Sequence, residues 1–301
     1  MKDLISFLQE NQVGEFLLEE PMSNHTTWQI GGPVDILIIP HDQTGLQKIL
    51  KFLHQTDIPW TVIGRGSNLL VRDKGIRGAV IKLSHGFENL RFLGETVRVG
   101  AGYSFIKLAV MAGKEGLTGL EFAGGIPGTV GGAIYMNAGA HGSDVSRILV
   151  TVKIVKENGE PLTLTTEDLK FQYRNSILQQ KKWVVVEADF QLKRGNRKEI
   201  AAAMALHKDK RRKSQPLQFP CAGSVFKNPE NYYAGGLIEK AGLKGYRVGD
   251  AQISLQHANF IVNCGRATAD DVLTLIEHVK EMVKEKFHVE LIPEVKVVGE
   301  G

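Results

Sequence analysis

The chain has 301 residues, 43% of them hydrophobic and 23% charged, and a formal net charge of +4. No apolar run reaches the roughly 18 residues that a membrane span needs, and so small a charge excess gives no sign of a nucleic-acid partner. The length lies near the limit at which one core divides, so two or three domains are expected. Met1-Lys2-Asp3-Leu4 does not open a signal peptide, and a cytoplasmic protein is the expectation. Cys221 and Cys264 have no metal spacing and no CxxC pattern, so they read as buried thiols. The 33 glycines are clustered, which points to tight turns or to backbone lying close to a ligand.

Leu4, Ile5 and Leu8 predict a short amphipathic helix over 3–12. Asn24-His25-Thr26-Thr27 and the residues on to Pro33 read as loop, strand and turn. Asp35 to Pro40 is a buried strand stopped by proline. Thr44 caps a helix with Leu46, Ile49, Leu50 and Leu53 on one face, and Trp60 to Ile63 is another strand. Gly64-Arg65-Gly66-Ser67-Asn68-Leu69 then begins like GxGxxG. Leucine stands at the third glycine, and Leu70 to Gly75 is not helical in pattern, so a Rossmann site is rejected. Consecutive N–H groups with the Ser67 and Asn68 side chains can still cradle a phosphate; a plain tight turn accounts for the same residues equally well.

Thr96 to Val99 reads as a strand, and Ser104 as the cap of a helix carrying Ile106, Leu108, Ala109 and Met111. Residues 121–142 hold seven glycines and almost no charge. Pro127 suits a first helical turn, and the small residues after it let the backbone approach something flat or phosphorylated. A tightly packed core segment is the alternative. Two such glycine-rich stretches, neither of Rossmann type, fit a large dinucleotide lying across two subdomains. Strands come at Val150 to Val155 and Trp183 to Leu192, with a hairpin turn at Asn158-Gly159. Arg174, in Phe171 to Ser176, reads by itself as a surface ion pair. A helix is expected over Lys198 to Lys210.

A run of cations, Lys208, Lys210, Arg211, Arg212 and Lys213, precedes Cys221-Ala222-Gly223-Ser224-Val225-Phe226-Lys227-Asn228-Pro229. A hydroxyl with an ammonium, an amide and guanidiniums nearby could serve an anionic substrate and donate one proton, although serines in Gly-Ser turns are mostly structural. Then come a short helix over 235–243, a strand from His257 to Asn263, and a long amphipathic helix opening at Thr268 with a capping-box-like start. In the closing strand, Val289 to Val298, Glu294 is either exposed on an edge or held in a site.

Taken together these segments resemble the UDP-N-acetylenolpyruvoylglucosamine reductase (MurB) family over nearly the whole chain. The matching stretches are Asn24-His25-Thr26-Thr27 with Ile30-Gly31-Gly32-Pro33, Gly64 to Leu70, Gly124 to Gly132, Tyr173-Arg174-Asn175-Ser176, Ala222 to Pro229, and Pro293-Glu294-Val295. The absence of a long insertion between Arg174 and Ser224 resembles the family's shorter, second type, and the longer type's substrate-capping tyrosine has no clear match.

The resemblance implies an α+β / α/β fold: a two-subdomain FAD-binding domain of the vanillyl-alcohol oxidase (PCMH-like) class plus a C-terminal α+β substrate domain. The corresponding boundaries are 1–83, 84–205 and 206–301. It implies non-covalent FAD held by Gly64, Arg65, Gly66, Ser67, Asn68 and Leu69, and by Gly124, Gly125, Ile126, Pro127, Gly128, Thr129, Gly131, Gly132 and Asn137. It implies NADPH-dependent reduction of UDP-N-acetylglucosamine enolpyruvate to UDP-N-acetylmuramate in peptidoglycan precursor synthesis, a cell-wall, cell-shape and cell-division role with no metal, nucleic acid, membrane or obligatory protein partner. Hydride would pass from NADPH to flavin N5 and on to the enol ether. Arg174 would present its fork to the substrate carboxylate as negative charge develops. Glu294, keeping its proton, would donate to the enolate. Ser224 would protonate the alpha carbon. By motif offset, Arg212, Asn228 and His257 fall near substrate contacts.

Two other readings stand beside this one. One is an oxidase of the same FAD fold acting on an alcohol or lactone with oxygen; the basic run before Ser224 and the Ser-Val-Phe-Lys-Asn-Pro motif argue against it, and no plausible site for a covalent flavin stands out, with His25 and His141 left open. The other is a non-catalytic nucleotide-sugar-binding protein.

Overall fold

The computed structural model describes residues Met1–Gly301. Seven α-helices form where apolar residues recur at helical spacing: α1 (Lys2–Asn11), α2 (Gln43–Gln55), α3 (Phe105–Lys114), α4 (Val130–Tyr135), α5 (Arg197–Ser214), α6 (Ala234–Lys240) and α7 (Ala269–Phe287). None is long and apolar enough to cross a membrane. On α2, Leu46, Ile49, Leu50 and Leu53 are all buried. Its cap is Asp42, whose Oδ1 accepts from Gly45 N at 2.7 Å, and Thr44 lies inside the first turn. Ser104 caps α3 as expected. The glycine-rich segment forms a 3₁₀ turn, Glu121–Gly125, before α4 starts at Val130 with Thr129 as its cap; Pro127 stands ahead of the helix, outside its first turn. α7 opens with the Thr268–Asp271 capping box and buries Val272, Leu275, Ile276, Val279 and Val283.

The chain divides into two compact units, and it passes between them more than once. The first comprises Met1–Leu18, Ile36–Gly64 and Gly78–Lys210. Its largest sheet has five antiparallel strands in the order Pro161–Thr165, Leu149–Val155, Val184–Gln191, Thr96–Gly100, Leu90–Leu93. The pair Leu149–Val155/Pro161–Thr165 is the hairpin expected around Asn158-Gly159, where Gly159 has φ 86°. Trp60–Ile63 pairs in parallel with Ala79 to Lys82. One apolar cluster, from Leu4 to Leu192, fills this unit.

The second unit comprises Glu19–Asp35, Arg65–Arg77 and Arg211–Gly301. It holds the strands Arg247–Val248, Ala251–Ile253 and Ile261–Asn263, with α6 and α7. Lys296–Val298 pairs in parallel with Leu69–Val71. Its own cluster joins Trp28, Ile30 and Leu70 to Val225, Ile238, Ile261, Leu275 and Val295.

Three further sequence expectations change in detail. Residues 24–33 contain no strand before Pro33: Met22–His25 is a 3₁₀ turn, and the Thr26 hydroxyl donates to Ile30 O at 2.9 Å, drawing the backbone into a local loop. His257 to Phe260 is a turn, closed by Phe260 N donating to His257 O at 3.0 Å, and the strand begins only at Ile261. The closing strand is confined to Lys296–Val298, so Glu294 lies before it, after a proline that has no N–H to give a ladder.

Candidate active site

In the first unit, Trp60, Gly64, Thr129, Gly132, Tyr135 and Trp183 are among the residues lining a cavity of about 390 Å³, within the roughly 300–1,000 Å³ of small-molecule sites. From α4 it receives Gly131 and Gly132, which bring backbone without a side chain, and Tyr135. Gly64 must be glycine for a packing reason: an added Cβ would sit 2.4 Å from Thr129 Oγ1, the atom that caps α4. At Gly132 a Cβ would meet only that same oxygen, at 3.5 Å. Indole and phenol rings supply flat walls, and Lys181 sits with its ammonium 5.8 Å from the Trp183 ring centroid. Burial pushes the Tyr135 phenol above its ordinary value, so the ring keeps its proton.

Arg174 belongs to the same unit. It takes a left-handed conformation, φ 54°, in a turn closed by reciprocal backbone bonds between Gln172 and Asn175, each 3.1 Å. Its Nη2 donates to Gly139 O at 2.9 Å, and the guanidinium carbon lies 5.1 Å from the Tyr173 ring centroid. Asn137 is buried, and its amide joins the two segments by donating to Gln172 O and accepting from Ser146 N, both at 3.1 Å. The arginine is therefore anchored to the end of the glycine-rich stretch.

In the second unit, Ser224 and Glu294 come together although 70 residues separate them in sequence. Glu294 N donates to Val225 O at 2.7 Å, and Lys227 N donates to Ile292 O at 2.9 Å. Asn259 locks the serine segment from its other side: Val225 N donates to Asn259 O, and the Asn259 side chain exchanges two bonds with the Phe226 backbone, at 2.9 and 2.8 Å. The second half of the 64–69 loop meets the glutamate here, through Asn68 Nδ2→Glu294 O at 3.2 Å and Lys296 N→Asn68 O at 3.0 Å. Thr27 binds both neighbouring segments, Thr27 N to Gly66 O at 3.3 Å and its hydroxyl to Cys221 O at 2.7 Å. A Cβ on Gly66, φ 63°, would lie 2.2 Å from His25 O, so that glycine too is required by packing. Arg65 is exposed.

The three polar residues assigned by offset have mixed settings. Asn228 is exposed, and its Oδ1 accepts from Ala234 N at 3.0 Å at the start of α6. His257 is half-buried; burial, then nearby Lys244, pull its pKa below 6.5, and Nδ1 accepts from Asn259 N at 3.2 Å. The neutral ring thus carries its proton on Nε2. Arg212 is exposed near the end of α5. Its neighbour Arg211 is the more buried of the two: desolvation lowers its pKa, and it faces Cys221, whose thiol burial pushes up. Cys221 is therefore a neutral thiol, poorly suited to nucleophilic attack. Of the two histidines considered for a covalent flavin, His25 bonds to Glu20 at 2.9 Å and His141 stacks on His207 with ring centroids 3.9 Å apart.

Residues 34–165 match the family described as FAD binding domain, and residues 215–298 match that of UDP-N-acetylenolpyruvoylglucosamine reductase, C-terminal domain. The UDP-N-acetylenolpyruvoylglucosamine reductase of Bacillus subtilis is 52% identical over 300 residues, covering 99% of both chains. The chain belongs to the UDP-N-acetylenolpyruvoylglucosamine reductase family. The crystal structure of the MurB reductase from Thermus caldophilus is 38% identical and superposes with a TM-score of 0.82 over 94% of this chain and 98% of that one. Berberine bridge enzyme from Eschscholzia californica, 16% identical with a TM-score of 0.51 over 65% of this chain and 44% of its own, shares the fold alone. The expected combination of an FAD-binding domain with a further C-terminal domain is the one found.

As a member of the reductase family the chain is an oxidoreductase with an FAD-binding domain. The cavity's chemistry fits one end of that cofactor, since aromatic rings, the glycines Gly64, Gly131 and Gly132 and the side chain of Lys181 are all among its lining. Sequence reasoning missed the wall formed by Tyr135 and residues 178–185. Lys181-Lys182-Trp183, two cations and an aromatic opening a strand, was the available signal. It also missed Gln179, a polar side chain five residues beyond Arg174.

Proposed function

We propose that this oxidoreductase is NADPH-dependent and reduces UDP-N-acetylglucosamine enolpyruvate to UDP-N-acetylmuramate, a cytoplasmic step of peptidoglycan precursor synthesis. The observation that carries this reading is the 2.7 Å bond from Glu294 N to Val225 O, which joins a carboxylate residue to the serine segment beside Asn68 of the glycine loop. In this proposal residues 1–83 and 84–205 serve FAD and 206–301 serve the substrate. FAD would rest on Gly64 to Leu69 and on Gly124 to Gly132, with Asn137 shaping the second stretch. Bound FAD supplies hydride transfer.

The chain's own groups control charge and protons. Arg174 presents two N–H groups to the substrate carboxylate, where hydride arrival builds further negative charge; fixed donors in a dry site stabilise such charge strongly. Glu294, carrying its proton, donates a hydrogen bond to the developing enolate oxygen. Ser224 delivers the proton to the alpha carbon. A serine hydroxyl is a weak acid, so its effect comes from placement and from a relay behind it. Gly223, φ 79°, sharpens the turn that presents it. Arg212, the amide hydrogens of Asn228 and the Nε2 proton of His257 are donors suited to the uridine diphosphate.

The purified protein is expected to be yellow and to oxidise NADPH when the enolpyruvyl substrate is added. In anaerobic stopped-flow, Ser224→Ala should leave flavin reduction by NADPH unchanged and slow reoxidation by substrate ~10²-fold or more, the typical worth of a general acid. Equal slowing of both half-reactions would overturn the assignment of Ser224 as the proton donor.

A further inference from the structure

The last turn of α4 ends with carbonyl groups that have no partner inside the helix. Tyr135 O is satisfied from outside, by Ser176 Oγ at 2.7 Å and Gln179 Nε2 at 3.2 Å. The same Gln179 nitrogen donates to Arg174 O at 3.1 Å. Both acceptors are carbonyl oxygens, so the amide orientation is fixed by chemistry: the NH₂ group faces them, and Oε1 is left as an acceptor. Gln179 also lines the 390 Å³ cavity with Gly132 and Tyr135. Arg174 itself holds a left-handed backbone, φ 54°. A non-glycine residue keeps such a conformation only where its surroundings over-determine it. Here the surroundings are the Gln172–Asn175 turn, the Asn137 amide on Gln172 O, and Gln179 on the arginine's own carbonyl.

We infer that Gln179 is a positioning residue for Arg174 that also reads the cofactor cavity. Its two N–H groups pin the arginine's backbone to the end of α4, while its amide oxygen accepts from an N–H or O–H donor of the bound nucleotide cofactor. One side chain thereby ties cofactor loading to the setting of the guanidinium. The inference rests on the proposed role of Arg174.

The test is a double-mutant cycle on the holoenzyme with Gln179→Leu, Arg174→Gln and the pair, together with FAD titration of each apoprotein. Gln179→Leu should weaken FAD binding about fivefold, the worth of one neutral hydrogen bond. It should leave flavin reduction by NADPH intact and slow reoxidation by substrate about tenfold or more, with the pair no slower than Arg174→Gln alone. Wild-type reoxidation in Gln179→Leu, additive losses in the pair, equal loss in both half-reactions, or unchanged FAD affinity would each overturn the inference. Arg174→Gln with normal reoxidation would instead sink the arginine's proposed role, and this inference with it. Gln179→Met, which keeps length without donors, takes the place of the leucine variant if that variant does not fold.

Discussion

Single side chains in the second unit carry two kinds of work, and His257 separates them by its titration. Burial first, then Lys244, hold its folded pKa below 6.5. Between that lowered value and the unfolded one near 6.5, the unfolded chain binds more protons than the folded one. The histidine's contribution to stability is therefore complete above about pH 6.5 and is lost as pH falls through its folded pKa. Asp168, Asp189 and Asp250 are also lowered, but from 3.8, so their contributions are lost only in stronger acid. Between about pH 7.5 and 5.5, the melting temperature of His257→Asn should fall less than that of the unaltered protein. Asparagine Oδ1 can still accept from Asn259 N, so the comparison isolates the charge. Parallel melting profiles for the two proteins would remove His257 as the source. The residues proposed to carry the chemistry stand in short sequence motifs of unusual composition, Ser224, Glu294 and Arg174 each in its own and Asn68 in the glycine loop. The meeting of the Ser224 segment, Glu294 and Asn68 was not legible, because the bonds from Glu294 N to Val225 O and from Asn68 to Glu294 O join distant segments through backbone atoms that every residue shares.

Helix ends show the same division between what local chemistry dictates and what packing adds. The Thr268 cap was readable because a capping box is a local pattern of hydroxyl and carboxylate three residues apart. A second cap on the same helix was not. Asp73 accepts from Ala269 N at 2.8 Å and from Asp270 N at 3.0 Å, although it lies almost 200 residues earlier. Negative charge at a helix N-terminus is favoured by the exposed N–H groups and the helix dipole. Thr268→Ala should cost about 1 kcal/mol, an ordinary cap loss. Asp73→Ala removes two charge-assisted bonds and should cost more, about 1.5–3 kcal/mol. Urea midpoints at constant slope measure both; an Asp73 variant more stable than the Thr268 variant would show that the distant carboxylate contributes little. On α2 the sequence pattern favours Thr44 as the cap, and the structure gives Asp42. Both residue types cap well, and only the extended backbone of Asp42, φ −157°, settles which one precedes the helix.

Over the whole chain, periodicity revealed that segments were buried but not which core received them. Trp28, Ile30 and Leu70 read as N-terminal residues, yet they belong to the apolar cluster of α6 and α7. Trp28 is 0% exposed, its Nε1 donates to Ile261 O at 2.8 Å, and its own carbonyl accepts from Asn263 Nδ2 at 3.1 Å. Leu69–Val71 provides the partner strand for Lys296–Val298, and Thr27 and Asp73 hold the Cys221 segment and α7. Residues 211–301 therefore form an incomplete body when taken alone. Each missing large apolar side chain is worth about 1.5–3 kcal/mol of burial, and three of them rival the roughly 5–15 kcal/mol net stability of a whole domain. An excised 211–301 fragment is expected to show no cooperative urea transition by circular dichroism, whereas the full chain unfolds cooperatively. A sharp transition in the fragment would mean that segments 19–35 and 65–77 decorate the C-terminal core without completing it.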